Sequence, residues 1–402
     1  MLRPVTNITI TQRPNTDMPS RAKIISLDFV NYYSWESSWV NQTDNGKIVI
    51  PRNLYYKDEG NKLNPLNGSR VNIGGFTTNA DPLIMRGDRV VIESGYKYQE
   101  PSILRTVNDT AVIATGYVTK VYAKTPVEFD IEDNMWLLKQ VPMRDRTFTT
   151  SDLLENVLDY IVTTANDMHG VSFTANTLTS TKVGTTLIIG NETAAQLINR
   201  LKRLYGFHAY FRGDELRCGI FNYIQTDAKR HIFIMNGMRG NVLAQGQELE
   251  YQRKEDIALS AVAYSTITAD APGTTKDGQQ KKKKQRIEVL VEYRNGQFTG
   301  QAITNGHAPQ ATEGERRTFF FPEATTTTEL ITLAQAKLLQ YYYTGLKGKF
   351  VTFGIPYVRH GDEVQITNPL QPEQDGVYKV KGVEYTGGIE GLRQIVELDY
   401  KI

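Results

Sequence analysis

The histidines and the single cysteine are the residues whose side chains could most readily build a catalytic or metal site. A hydrolytic zinc site needs two or three such ligands at close spacing, as in HxH or HExxH. Neither motif occurs, and the five histidines are scattered along the chain as His169, His208, His231, His307 and His360. A G-x-S-x-G nucleophile motif and a phosphate-binding P-loop are also absent from the sequence. We therefore predict no catalytic, cofactor-binding or metal-binding residues and expect that the protein is not an enzyme.

The lone cysteine, Cys218, cannot form an intramolecular disulfide. It falls in a predicted strand beside a hairpin turn, where a small buried side chain is the simplest interpretation. Since the sequence opens with no basic-then-apolar leader, we expect folding in a reducing cytoplasm. His169 precedes a glycine at the end of a predicted helix, where an imidazolium would interact favourably with the helix dipole.

The tripeptide Arg-Gly-Asp occurs twice, at Arg86–Asp88 and Arg212–Asp214. Both copies fall between predicted strands. Glycine supplies a positive φ in a tight turn, and aspartate tolerates that backbone conformation. The pattern therefore predicts two turns rather than two adhesion motifs.

Charged and aromatic runs allow binding interpretations. Lys281–Lys284 could contact phosphates, but the run lies in a polar segment without interleaved aromatic residues, which favours a solvated loop. Contact with an acidic partner or with DNA is the alternative. Trp35 and Trp39 could form an exposed aromatic surface for a receptor or glycan. Tyr341–Tyr343 fall on a predicted helix, where a half-buried rim and a subunit contact both remain open.

Length and composition limit the number of domains and the class of protein to which these residues belong. The chain has 402 residues, which predicts two or three domains. Charged residues make up 22% of it and nearly cancel, leaving a formal net charge of +2 that favours neither a dedicated nucleic-acid binder nor an acidic surface. The 22 tyrosines are typical of a β-rich protein. No apolar run approaches 18 residues, so we expect no stable membrane insertion.

The first third of the chain reads as β structure. Residues 1–20 predict an N-terminal arm, in which "NITITQ" alternates like a short strand. Residues 21–146 predict a first β-barrel domain. Its segment 34–80 is rich in loop residues, and no helix is expected before about residue 141.

The character changes in the middle of the chain. Residues 147–238 predict a small α+β domain with amphipathic helices over 147–170 and 193–206. The second helix begins with a capping box formed by Thr193 and Gln196. Residues 239–402 then predict a second β-barrel domain. It carries a helix over 329–344 and a flexible, almost purely polar loop over 269–284.

The two β regions share a pattern. Each has a Gly-Asp turn that opens an alternating strand, then a hairpin, then an acidic strand, in the order "RGDRVVI", "GYVTKVY", "EFDIED" and "HGDEVQI", "GVYKVKGVEY", "VELDYKI". Because related strands must keep the same alternation, Val90 and Ile92 should match Val364 and Ile366. The pattern predicts a mainly β protein in which two related barrels flank the α+β domain.

This arrangement resembles the baseplate or tail hub proteins of bacteriophages and the related spike hub of type VI secretion. The resemblance covers residues 22–402 and rests on the order of elements. It implies a homotrimer in which the duplicated barrels form a pseudo-sixfold ring, one face meeting the hexameric tail tube and the other a trimeric spike or tail tip. The ring would line the genome-ejection channel, through which DNA passes without sequence specificity. The implied location is the tail of a virion assembled in the bacterial cytoplasm, and the tape-measure protein is a further candidate partner.

Two other functions remain open from sequence. One is a receptor- or glycan-binding tail protein that uses aromatic residues in the 34–80 loops. The other is a tail-associated peptidoglycan hydrolase, which would need a carboxylate pair in a cleft or a metal site.

Overall fold

A computed structural model provides the structure of the protein. It describes most of the chain, in the ranges 3–18, 21, 23–51, 54–57, 63–66, 82–100, 105–177, 182–183, 186–205, 208–219, 228–236, 240–274, 280–294, 296–303, 315–321 and 324–402. The described residues are mostly in strands, so the predicted mainly β fold is confirmed.

The first β region forms nine strands. They are β1 (Arg3–Thr11), β2 (Ile24–Leu27), β3 (Tyr32–Ser38), β4 (Asn45–Ile50), β5 (Leu54–Lys57), β6 (Leu63–Leu66), β7 (Arg89–Glu100), β8 (Arg105–Tyr122) and β9 (Val127–Glu132). Strands β4 to β6 and most of β3 lie within residues 34–80, the segment that is predicted to be rich in loops. The predicted N-terminal arm is also wrong, because β1 pairs with both β2 and β7 inside the main sheet. Its side chains Ile8 and Ile10 are buried, and this burial stabilises the terminal strand in the sheet.

The middle region forms the α+β domain. Its elements are α1 (Met135–Leu138), β10 (Arg146–Phe148), α2 (Leu154–His169), β11 (Thr174–Thr177), β12 (Leu187–Ile189), α3 (Ala194–Tyr205), β13 (His208–Arg212) and β14 (Glu215–Gly219). Both long helices were predicted, and the capping box of α3 is present: Gln196 N–H donates to Thr193 Oγ1, and Thr193 N–H donates to Gln196 Oε1. The short helix α1 was not expected, since four residues carry no periodic signal. It adds four buried side chains to the core of this domain.

The last region holds ten strands and one long helix. They are β15 (Arg230–Ile234), β16 (Val242–Gln252), β17 (Leu259–Thr274), β18 (Gln280–Arg294), β19 (Gln297–Ala302), β20 (Glu315–Phe320), α4 (Thr327–Leu339), β21 (Gly345–Phe353), β22 (Glu363–Thr367), β23 (Gly376–Gly388) and β24 (Arg393–Lys401). Two 3₁₀ turns, Lys254–Asp256 and Pro372–Gln374, complete it. Strands β17 to β20 form a separate four-stranded sheet with its own core under α4. The second β region is therefore a barrel-like repeat with an additional layer.

Two predictions for this region need correction. The expected flexible loop 269–284 belongs largely to a long hairpin, in which Ala269 lies opposite Lys283 and Thr274 opposite Gln280. Backbone pairing needs no apolar side chains, so the polar composition of this segment did not exclude a hairpin. Residues 275–279 lie outside the described residues. The expected helix 329–344 begins with the predicted threonine cap at Thr326 but ends at Leu339.

The main sheet joins both β regions. We call β3, β4, β7, β8 and β9 the first repeat and β16 with β21 to β24 the second repeat. Their strand orders are the same, β3-β4-β9-β8-β7 and β16-β21-β24-β23-β22. The repeats are continuous because β23 also pairs with β3, and their buried faces form one shared core. The strand flanking each repeat differs: β1 runs antiparallel to β7, whereas β15 runs parallel to β22.

Candidate functional site: repeated turns and a three-way junction

The first repeated feature is the Gly-Asp turn that opens β7. Gly87 has a φ of 93°, which a residue with a side chain rarely adopts. Its N–H donates to Val118 O at 2.8 Å, and Val118 N–H donates back to Asp88 O at 2.9 Å. The Asp88 carboxylate closes the turn by accepting from Met85 N–H at 2.8 Å. Arg86–Asp88 is therefore a structural turn, as predicted.

The turn that opens β22 repeats this scheme bond for bond. Gly361 has a φ of 79°. Its N–H donates to Val380 O at 2.6 Å, and Val380 N–H donates to Asp362 O at 3.0 Å. Asp362 Oδ2 accepts from Arg359 N–H at 2.9 Å. The two turns thus occupy equivalent positions in the two repeats.

Each turn aspartate is also held from the flanking segment outside the repeat. Asp88 accepts from Arg13 N–H at 2.9 Å and pairs with the buried Arg21 guanidinium at 2.5 Å. Asp362 accepts from Lys229 N–H at 3.2 Å and contacts His231 Nε2 at 3.1 Å. Burial alone would raise the pKa of Asp362, but these hydrogen bonds outweigh it and lower the pKa below its ordinary value.

Two further details match between the repeats. A register shift follows Val118 in the β8·β9 pairing, and an equivalent shift follows Val380 in the β23·β24 pairing. A Cβ added to Gly46 would collide with Ser34 O, and one added to Gly348 would collide with Glu248 O. Such close backbone contacts require glycine at the same position of both repeats.

The predicted alternation of the repeated strands holds as well. Val90, Ile92, Val364 and Ile366 are all fully buried in the shared core. The residues between them, such as Val91 and Gln365, are only partly buried. The alternation of the strands and the hydrogen bonds of the turns therefore both indicate that the two repeats are equivalent.

A three-way junction joins the first repeat, the α+β domain and the second repeat. We define it by Ser37, Asp44, Asp133, Arg212 and His360. Ser37 Oγ donates to Asp44 Oδ2 at 2.6 Å and contacts His360 Nδ1 at 2.8 Å. Arg212 Nη2 donates to His360 O at 2.8 Å, which docks the Arg212–Asp214 turn onto the second repeat. The junction thus carries hydrogen bonds among all three regions.

The two junction carboxyls are buried together. Asp44 is 6% exposed and Asp133 is 5% exposed, and Asp133 N–H donates to Asp44 O at 3.0 Å. Burial raises the pKa of Asp44 to about 7, although hydrogen bonds from Ser37 and Ser38 oppose the rise. Burial and the nearby charge of Asp44 raise the pKa of Asp133 well above its ordinary value. The neutral form of Asp44 is therefore favoured below about pH 7, and the neutral form of Asp133 is favoured to a higher pH than in an ordinary carboxyl group.

Sequence reasoning missed this acid pair. Asp44 lies in the loop after β3 and Asp133 follows β9, 89 residues later in the numbering. The β4·β9 pairing brings them together, with Asn45 opposite Glu132. Each aspartate looks like an ordinary loop residue, so only the strand pairing could have shown the pair.

Among the described residues, the histidines and Cys218 do not gather into one site. Burial lowers the pKa of His208 to about 3, and burial also lowers the pKa of His169, which weakens the predicted charge interaction with the helix dipole. His231 and His360 contact the second turn and the junction, and His307 lies outside the described residues. Cys218 is buried in β14, as predicted. Within the described ranges no cluster of three metal-ligating side chains occurs.

The aromatic residues that the sequence suggested as binding residues pack within the chain. Trp35 and Trp39 are buried, so neither forms part of an exposed binding surface. The run Tyr341–Tyr343 follows α4 rather than lying on it. Tyr341 packs under the Arg317 guanidinium and Tyr342 packs against Tyr293, so these two side chains contact different parts of the chain.

The lysine run Lys281–Lys284 lies in β18 rather than in a loop. The placement of its side chains is outside the described residues.

Among the helices of the described residues, none has both the length and the apolar character needed to span a membrane.

Comparisons with known proteins agree with this fold. No protein-family model matches the sequence, and no curated protein sequence matches it significantly. The fold is similar to that of a tail protein from Neisseria meningitidis, with 11% sequence identity, a TM-score of 0.53, and coverage of 99% of this chain and 96% of that chain. A 43 kDa tail protein of prophage MuSo2 from Shewanella oneidensis is 10% identical, with a TM-score of 0.50 and 98% of each chain covered.

A weaker likeness concerns a type VI secretion component from Escherichia coli. It is 8% identical and covers 98% of this chain and 76% of that chain, with a TM-score of 0.43, which is too low to carry an argument. At these identities the comparisons speak to the fold alone. The expected resemblance to phage tail proteins is confirmed at that level.

Proposed function

We propose that the protein is a structural hub of a bacteriophage tail, working as a homotrimer whose six repeats form a pseudo-sixfold ring. The observation that carries this proposal is the duplication itself, because both Gly-Asp turns use the same hydrogen bonds and both repeats share one strand order. A trimer of duplicated chains offers six similar surfaces, so it can meet a sixfold partner on one side and a threefold partner on the other.

The partners proposed for these faces are the tail tube protein and a spike or tail-tip protein, with the tape-measure protein as a further candidate. The ring would line the channel through which DNA leaves the virion. Its place would be the phage tail, after assembly in the host cytoplasm. The fold likeness to tail proteins along almost the whole chain supports this assignment.

A non-catalytic role is part of the proposal. A peptidoglycan hydrolase needs carboxyls that a polysaccharide can reach, whereas Asp44 and Asp133 are at most 6% exposed. The receptor-binding alternative relied on exposed aromatic residues, and Trp35 and Trp39 are buried. Residues 52–53, 58–62 and 67–80 of that loop segment lie outside the described residues.

Counting the copies in an assembled tail tests the proposal. Electron microscopy of the particle should show three chains around the channel, each contributing two similar β units to one ring. Six chains in the ring would overturn the symmetry argument, because each repeat pair would then face a single site of the tube. A location outside the tail axis would favour a receptor-binding role instead.

A further inference from the structure

The first Gly-Asp turn forms part of a pocket of about 380 Å³, which we call the first-turn pocket. The polar residues that line it are Arg13, Asn15, Thr16, Arg21, Arg86 and Asp88. Three arginines against one aspartate leave two excess positive charges in this lining. The whole chain has a formal net charge of only +2, so the pocket is a local concentration of positive charge.

One of the three arginines is neutralised at the floor of the pocket. Arg21 is 5% exposed and Asp88 is 0% exposed, and Arg21 Nη2 lies 2.5 and 2.7 Å from the two carboxylate oxygens of Asp88. One of these oxygens also accepts from Arg13 N–H, and the other accepts from Met85 N–H. The four acceptor positions of this carboxylate are therefore filled, and it cannot neutralise a second arginine.

The other two arginines carry unpaired charges above this floor. Arg13 and Arg86 are exposed, and neither forms an ion pair with a described residue. A Cβ added to Gly87 would come within 3.3 Å of both Arg13 Cδ and Trp136 Cη2, and the Arg86 guanidinium lies 5.8 Å from the centre of the Trp136 ring. Both arginine side chains therefore lie beside the same glycine and the same tryptophan. The nearby acid Asp17 is not part of the lining and has no ion pair with a described residue.

The second Gly-Asp turn repeats one of these exposed cations. Arg13 N–H and Lys229 N–H each donate to Oδ1 of the aspartate of their own turn, at 2.9 and 3.2 Å. Lys229 is exposed like Arg13 and forms no ion pair with a described residue. Arg86 has no such counterpart, because His360 takes its place before the second turn and is buried at the three-way junction. One exposed cation is thus common to both repeats, and the other is found at the first turn alone.

We propose that the first-turn pocket binds an acidic side chain of a partner protein, with its carboxylate held by the guanidinium groups of Arg13 and Arg86. A guanidinium group matches a carboxylate through paired, charge-assisted hydrogen bonds. The Asn15 amide and the Thr16 hydroxyl line the same pocket and can add neutral donors. The pocket therefore offers both charge and hydrogen bonds to one carboxylate.

A carboxylate fits this pocket better than a nucleic acid does. Nucleic-acid binding relies on a series of cations along the phosphate backbone, and single strands also need exposed rings on which bases stack. The pocket offers two unpaired cations, and the ring beside them, Trp136, is 4% exposed and lies under Arg86. Asp88 shows that the same turn already holds one carboxylate through an arginine fork and backbone N–H groups. A discrete acidic side chain is therefore the favoured ligand.

The inference deepens the proposed function, because it states the chemistry of one partner surface, and its repetition around a ring rests on that function. In a trimer the equivalent cations Arg13 and Lys229 would occur six times on one rim of the ring, and Arg86 would occur three times. A sixfold partner could then place one acidic side chain at every turn. The contact would be stronger at alternate turns, where Arg86 is present.

Binding of an acidic peptide to the full chain tests the pocket. The anisotropy of a short, fluorescently labelled oligoglutamate should show binding that weakens as salt is added. Arg13→Gln and Arg86→Gln should each weaken it about two- to fivefold, and the double variant should lose about the product of the two factors. Arg13→Lys, which keeps the charge without the planar fork, should lose less than Arg13→Gln. Arg203→Gln removes an exposed arginine of α3 that does not line the pocket and should leave the affinity unchanged.

The opposite results are equally clear. A wild-type chain that does not bind oligoglutamate, or a double variant with wild-type affinity, overturns the proposal. An equal loss in Arg203→Gln would show that net charge alone is responsible, and tighter binding of single-stranded DNA with the same number of charges would assign the pocket to phosphate; either result overturns it as well. Six chains in the tail ring would overturn the proposed function while leaving peptide binding by the isolated chain intact, so the two failures are distinguishable.

Discussion

Replacing Asp44 by asparagine tests the energetic cost of the buried acids at the three-way junction. An asparagine resembles the neutral aspartic acid in shape, and its carbonyl can still accept the hydrogen bond that Ser38 N–H donates to Asp44 Oδ1 at 3.1 Å. The substitution therefore removes the ionisation while preserving most of the packing. Arg212 and Glu36 act on the same carboxyl in opposite directions, and both remain in the variant.

The sign of the effect follows from the direction of the shift. The folded pKa of Asp44 is raised from an ordinary 3.8 to about 7, so the folded state binds this proton more tightly than the unfolded state. The contribution of Asp44 to the free energy of unfolding is therefore greatest below pH 3.8 and falls as the pH rises towards 7. Three pH units at about 1.4 kcal/mol each correspond to about 4 kcal/mol. Asp133 should add a loss of the same sign, because its pKa is also raised.

Denaturant unfolding between pH 4 and pH 8 measures this loss. The three tryptophans, Trp35, Trp39 and Trp136, are buried near the junction, so their fluorescence reports on its unfolding. Relative to wild type, Asp44→Asn should make the change in unfolding free energy from pH 4 to pH 8 more positive by roughly 2–4 kcal/mol. Asp167→Asn, an exposed position on α2, should leave the pH dependence unchanged. An Asp44→Asn variant with the wild-type slope would refute the reasoning. The wild-type slope alone does not decide it, because the lowered pKa of His208 makes stability rise with pH over part of the same range.

Three further outcomes are expected. Gly348→Ala should destabilise the second repeat by more than about 2 kcal/mol, because its Cβ would collide with Glu248 O at a φ of 111°, and denaturant midpoints will show whether it does. Thr193→Ala should cost about 1 kcal/mol by removing the cap of α3, and an unchanged thermal midpoint would count against that contact. Burial raises the pKa of Cys218 to about 12, so the thiol should react with maleimide only after unfolding, as mass spectrometry can follow.

Features that depend on neighbouring residues could be predicted from the sequence. The Gly-Asp turns are examples. A φ of 93° or 79° favours glycine at that position, and the glycine can be seen in the sequence. The alternation that buries Val90 and Val364 is equally local, and so is the capping box of Thr193. The duplication could therefore be proposed before any contact was known.

Several predicted elements were wrong because local composition does not show which distant strand a segment pairs with. The polar stretch after residue 269 reads as a loop, yet its backbone groups pair across a hairpin. The N-terminal arm is a strand because Ile8 and Ile10 find a core built by residues about 80 positions away. Neither partner lies within the window that a local pattern samples.

The sequence by itself determined that this is a mainly β protein with two related units around a helical one. Only the tertiary structure decided how these units meet, through β3 on the edge of β23 and through Asp44 beside Asp133. Alternation specifies which face of a strand is buried, but it does not specify which strand lies on either edge. The edge of a strand pairs through backbone hydrogen bonds, which any residue except proline can donate. Side-chain type therefore says little about which strand is the neighbour.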